Sequence, residues 1–262
     1  MGWFGAKLPI DRDELEFQLA TFKWLIDQFG PVDGRPLILP TPDFFPLSGA
    51  RGEAGVRELF DAVRGHAGMA DWPCELKAGA ADRPFDLGNN QFLKHGGSAP
   101  CGTFEVGEGL AGRYGIVSYN PDMANDHAAL AGTFAHEFGH YLMATAATDP
   151  PGGWDLHELH TDLAAVYMGF GIFLANHARW FEHFTTDSSA GWRSSLRGYL
   201  SEQALIVAMV IFQRLAGRDP LEAVPYVKPY LAGTVKKAAK ALDRQAPDMA
   251  AAVAAIDLGE FA

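Results

Sequence analysis

Three residues in one short stretch have the types and the spacing to do chemistry. Gly132–Met143 reads GTFAHEFGHYLM and carries His136, Glu137 and His140. On a helix each residue turns the chain by about 100°, so residues four apart lie about 40° apart on one face, one turn above the other. Two imidazoles placed in that way can reach a single metal ion. Glu137 is beside them, close enough to a water on that ion to take its proton. The chemistry such a set implies is metal-assisted hydrolysis, with a carboxylate as general base.

A hydrolytic zinc site needs a third protein ligand and one open position. The next polar cluster is DLHELHTD, Asp155–Asp162. Glu158 follows His140 by eighteen residues, and Asp162 comes four later, one helical turn on. Both would share a face at the start of a second helix. The residues alone leave His157, His160 and Asp155 open beside Glu158 as the third ligand, and an aspartate ligand could also be Asp162. A metal-binding histidine needs its other ring N–H held, which sets tautomer and orientation.

HEFGH followed by ELHTD resembles the HExxH…ExxxD pattern of the gluzincin metallopeptidases, the thermolysin-like group. The resemblance covers about Ala135–Asp162. It implies Glu158 as the third zinc ligand and Asp162 as the residue that fixes His136 through its second ring nitrogen. It implies a zincin-like fold, one Zn(2+) per chain, and a peptide or protein as substrate. The sequence departs from the pattern at His157, where the family usually has Asn, and in the short spacer between the two motifs. The metzincin pattern does not apply, because Met143 and Thr145 stand where a Gly and a third His would be needed.

The elements that must position these residues can be read from periodicity. Met123–Thr148 contains no Pro and is apolar or small at Ala128, Leu130, Ala131, Phe134, Ala135, Phe138, Tyr141, Leu142 and Met143. It predicts a mostly buried helix capped by Asn125 or Asp126. After Asp162 comes LAAVYMGFGIFLANHARWF, apolar all round, which predicts one buried helix packed on the first. Its continuous apolar run, Leu163–Ala175, is too short to span a bilayer.

Upstream, 11–29 predicts a helix started by Asp11 or Asp13 and ended by Gly30-Pro31, and 53–64 a second one. Leu37–Leu39, Pro73–Leu76, Gly102–Val106 and Tyr114–Tyr119 read as short strands. The last of these leads into the metal helix; the resemblance implies that a strand here forms the lip of the cleft, where an extended peptide could pair with its edge if that edge is free. Downstream, 178–200 is more polar and could cover the cleft. It holds His183, Arg193 and Tyr199, which with His177 are candidates to stabilise an oxyanion. Ser201–Ala216 predicts a helix capped by Ser201. Tyr226–Gly233, Thr234–Leu242 and Asp248–Ile256 read as further helical segments.

The expected class is therefore α+β: a small irregular sheet with helices in 1–120, and a mainly helical 121–262 that carries the site. No linker or repeat divides the 262 residues, so one domain is expected. A net charge of −11 argues against nucleic acid or an anionic membrane as partner. Two cysteines, Cys74 and Cys101, make no disulfide framework and read as reduced thiols; a metal site of both with His95 is the less favoured reading, and Lys94 and His95 read as loop. No basic region followed by an apolar run marks a secretory signal, which gives a cytoplasmic expectation. Two further classes compete with a peptidase: a zinc protein without peptidase activity, in which a fourth protein ligand fills the open position, and a metal-free interaction protein.

Overall fold

The computed structural model describes residues 8–79, 101–109, 112–182 and 199–261, with 85–86, 92–93 and 179–182 by backbone alone. His183, Arg193, Lys94 and His95 lie outside the described residues. The chain is α+β, with eight α-helices and two small sheets among the described residues.

Helix α1 (Arg12–Phe29) begins at Asp11, whose carboxylate accepts the Glu14 N–H, and stops at Gly30, which takes φ +94°. Helix α2 (Gly52–His66) presents Val56, Leu59, Phe60 and Val63 to the interior. Three strands follow: β1 (Cys74–Ala78), β4 (Gly102–Gly109) and β5 (Gly112–Tyr119), in the order β1-β5-β4. Among the described residues, strands β2 (Phe85–Asp86) and β3 (Phe92–Leu93) pair with each other alone. Strand β5 runs parallel to β1 and antiparallel to β4.

Sequence leaves open whether Tyr114–Tyr119 has a free edge, and the pairing decides it. Strand β5 is bonded on both sides, and among the described residues β4 is the outer strand on the side away from β1. The Leu37–Leu39 strand is also absent. Ile38 N donates to Gly169 O at 3.0 Å, but no strand lies alongside to make a ladder.

Helix α3 (His127–Met143) starts at Asp126, whose side chain accepts the Ala129 N–H, and is shorter at its end than its composition predicts. Its Phe134 and Phe138 rings meet Phe60 of α2 at 5.3 and 5.2 Å between centroids. Burying an aromatic ring of this kind contributes about 1.5–3 kcal/mol. Helix α4 (His157–Tyr167) crosses α3. Gly139 permits the approach, since a Cβ there would lie 2.7 Å from Thr161 O.

The single helix expected after Asp162 is two. Gly169 sits at φ +100°, where a Cβ would be 2.7 Å from Pro36 O, so the chain turns and restarts as α5 (Gly171–Glu182). Helix α6 (Glu202–Leu215), capped by Ser201, is buried along nearly its whole length against α4 and α5. Tyr226–Gly233 is mostly turn rather than helix, and regular structure resumes at α7 (Ala232–Gln245) and α8 (Met249–Ala254). One hydrophobic cluster runs from α1 to α8, with α3, α4 and α6 at its centre. Among the described residues no helix is long and apolar enough to cross a membrane.

Candidate metal centre

Helix α3 carries His136, Glu137 and His140, and the first turn of α4 carries Glu158. The crossing of the two helices brings one ligand atom of each of His136, His140 and Glu158 within 4.8 Å of one another. Glu158 Oε2 is 3.1 Å from His136 Nε2 and 3.6 Å from His140 Nε2. Donors about 2.0–2.1 Å from a tetrahedral zinc lie about 3.3 Å apart, between these two distances.

The remaining ring nitrogens are both held. His136 Nδ1 is 2.9 Å from Asp162 Oδ1, and His140 Nδ1 is 3.1 Å from Thr161 Oγ1. Asp162 and Thr161 adjoin on α4, so one turn of helix orients both imidazoles. An ionised Asp162 only accepts, so His136 carries a proton on Nδ1, and the Thr161 hydroxyl can accept from His140 Nδ1 in the same way; a metal requires that tautomer, with Nε2 turned to the ion.

The electrostatics point the same way. Glu137 and Asp162 are buried at 5% and 3% exposure, and Glu158 is nearly so. Among the described residues, the ion pairs of Glu158 and Asp162 are all with histidines. Burial alone would lower the His136 pKa, yet Asp162 and Glu158 raise it well above the usual value. Burial would raise Glu158, and His140, His136 and His157 instead hold it well below the carboxylate range. Burial pushes Glu137 up to about 8, with Glu158 adding and His136 opposing. A group of buried carboxylates that draws positive charge onto an imidazole is one that a divalent cation suits. The donor set of two imidazoles and a carboxylate fits a divalent metal ion.

The other candidates separate. His157 is beside the site, with Nε2 3.2 Å from Glu158 Oε1 and Nδ1 3.1 Å from Trp154 O. His160 is not. It is fully buried on the far side of α4, where its Nδ1 is 3.2 Å from Thr21 Oγ1 and its ring packs on Phe17 and Trp24 of α1. Only a residue within reach of the crossing point can be a ligand, and its position on the helix turns His160 away. Asp155 lies in the short turn before α4 and is not in the cluster. His177 bonds Phe173 O on its own helix.

Tyr199 stands over His136 with ring centroids 5.1 Å apart, and Leu200 N donates to Asp162 Oδ2 at 2.8 Å. Gly102, the first residue of β4, lies against Glu137: a Cβ there would be 2.9 Å from Oε1. Cys74 and Cys101 are free, and burial pushes both thiols up to about 11.

Sequence reasoning passed over Thr161, Gly139 and Gly102. The signal for Thr161 was present, since it lies three residues after Glu158 and next to Asp162. That for Gly102 was not, because its neighbour is 35 residues away. Searches against protein-family models, curated proteins and solved structures each found no match.

Proposed function

We propose that this protein is a zinc-dependent hydrolase of the metallopeptidase kind, cleaving a peptide bond in a peptide or protein substrate. The observation that carries the reading is the convergence of His136 Nε2, His140 Nε2 and Glu158 Oε2, with both Nδ1 atoms already held. When bound, zinc supplies a water acidified toward neutrality and polarises the acyl oxygen.

The chain's own groups do the rest. Glu137 takes the proton of the attacking water on a carboxylate oxygen and passes it to the departing amine nitrogen, so it ends as it began. Its burial and raised pKa suit a base that must hold and release a proton near neutrality. Tyr199 remains an O–H donor, because burial and the surrounding carboxylates hold its pKa well above 10. It donates to the acyl oxygen as negative charge develops there. Among the described residues β4 is an outer strand of its sheet, and its first residue abuts Glu137, so an extended substrate pairing there would bring a backbone carbonyl beside the base.

A second reading, a zinc protein without peptidase activity, is favoured by one observation. His157 lies against Glu158, its ring 6.2 Å from that of His140, near enough to take part in a closed site.

Elemental analysis of the wild type and His136→Ala, followed by a peptide-library digest with the wild type and Glu137→Gln, tests the proposal. The expected result is about one zinc per wild-type chain, none in His136→Ala, and zinc without cleavage in Glu137→Gln. A wild type that takes up no offered zinc would end the metal reading. Zinc bound through four protein ligands, with no cleavage, would favour the second reading.

A further inference from the structure

We infer that Asp162 couples metal binding to the seating of Tyr199, acting through the backbone N–H of Leu200. The inference rests on His136, His140 and Glu158 being a metal site. Asp162 has two carboxylate oxygens, and each faces one nitrogen: Oδ1 is 2.9 Å from His136 Nδ1, and Oδ2 accepts from Leu200 N at 2.8 Å. Both residues are buried, Asp162 at 3% and Leu200 at 4% exposure, so water does not compete for these bonds.

Leu200 immediately precedes Ser201, the N-cap of α6, so Asp162 fastens the entry of α6 to the middle of α4. The residue before it, Tyr199, then lies over the His136 ring. One carboxylate therefore holds a metal-binding imidazole by one oxygen and the aromatic residue above that imidazole by the other. The HExxH…ExxxD pattern accounts for the first bond only. The second uses a backbone group 38 residues away.

The coupling follows from the chemistry of the ring. An imidazole that gives Nε2 to a cation keeps its proton on Nδ1 and donates it to Asp162 Oδ1. That bond fixes the carboxylate plane, which sets Oδ2 toward Leu200. By reciprocity, the factor by which bound metal favours the Leu200 bond is the factor by which that bond favours the metal. Asp162 is a positioning residue in this scheme. An amide cannot replace it, because the two nitrogens face different oxygens and Asn would turn its NH2, a donor, toward one of them.

Full-length protein labelled with 15N-leucine, with zinc alone as the probe, tests the inference. Two quantities are measured in the wild type and in Asp162→Asn: exchange of the Leu200 amide proton with and without zinc, and zinc affinity by competition with a chromophoric chelator. Zinc should slow Leu200 exchange in the wild type by about tenfold. In Asp162→Asn, zinc affinity should fall by about 10–100-fold and the effect of zinc on Leu200 should vanish. A wild type that binds zinc while Leu200 exchanges at one rate throughout would overturn the coupling and leave the metal site standing. A wild type that binds no zinc would remove the metal site and the coupling with it. Should Asp162→Asn fail to fold, the wild-type comparison decides alone.

Discussion

The imidazole Nδ1 atoms at this site meet different partners, a carboxylate for His136 and a hydroxyl for His140. The hydroxyl gives a clean test, since Val has nearly the shape of Thr without the oxygen. Thr161→Val should weaken zinc binding by about 10-fold or more, read by chelator competition. Unchanged affinity would show that His140 is oriented by packing alone. Gly102 gives a second test of a different kind. A methyl there would lie 2.5 Å from Thr133 Cγ2 and 2.9 Å from Glu137 Oε1, so Glu137 must shift. Gly102→Ala should retain zinc and lose hydrolysis by about 10-fold or more, because an ångström of displacement at a reacting group can cost about 100-fold. Full activity would place the working position of Glu137 elsewhere. Both residues matter through what they touch, and neither carries a recognisable motif.

The crossing of α3 and α4 makes the site at the level of elements, and Gly139 sets its distance. A Cβ at Gly139 would be 2.7 Å from Thr161 O and 3.0 Å from Thr161 Cγ2, and the first of these is backbone, so α4 itself must move. Alanine would add about 1 kcal/mol of helix propensity. Overpacking costs about 1–3 kcal/mol, so the clash outweighs the gain. Gly139→Ala should lower stability in a denaturant titration and weaken zinc binding, because Glu158, Thr161 and Asp162 all ride on α4. A variant as stable and as zinc-avid as the wild type would mean that α4 is free to slide. The break between α4 and α5 has a related cause. Periodicity reads Leu163–Ala175 as one apolar run, but Gly169 takes a positive φ that ends α4 and has Pro36 O where a Cβ would lie. Sequence shows that a glycine is there, not that a backbone carbonyl approaches it.

For the molecule as a whole, burial at the centre of the core has a cost that appears with pH. His160 is sealed between α4 and α1, and burial pushes its pKa down to about 3. The unfolded chain would take up a proton near pH 6.5, so below that value it binds more protons than the folded chain. The contribution of neutral His160 is therefore complete above about pH 6.5 and is lost as pH falls toward 3, at up to about 1.4 kcal/mol per pH unit. Unfolding free energies of the wild type and His160→Gln between pH 7 and 4 check this. The wild type should lose stability more steeply by up to one proton, and parallel curves would mean that His160 is charged or open to water in the folded protein.

The sequence by itself determined where several helices begin and the local chemistry of the site. Asp11, Asp126 and Ser201 cap the helices their positions announce, because capping acts within three residues. His136 and His140 share a face because helical spacing requires it, and Glu158 and Asp162 share another for the same reason. Tertiary structure decided everything that depends on two distant segments meeting. It chose Glu158 over His160, since that depends on which face of α4 meets α3 and which meets α1. It put β5 rather than β4 in the middle of the sheet, since strand order is set by pairing and not by the residues of one strand. It brought Gly102 to Glu137 and Leu200 to Asp162. Local sequence fixes backbone dihedrals and side-chain spacing within an element, whereas the packing of elements arises from contacts among residues far apart in the chain, and the candidate metal centre lies where two of them cross.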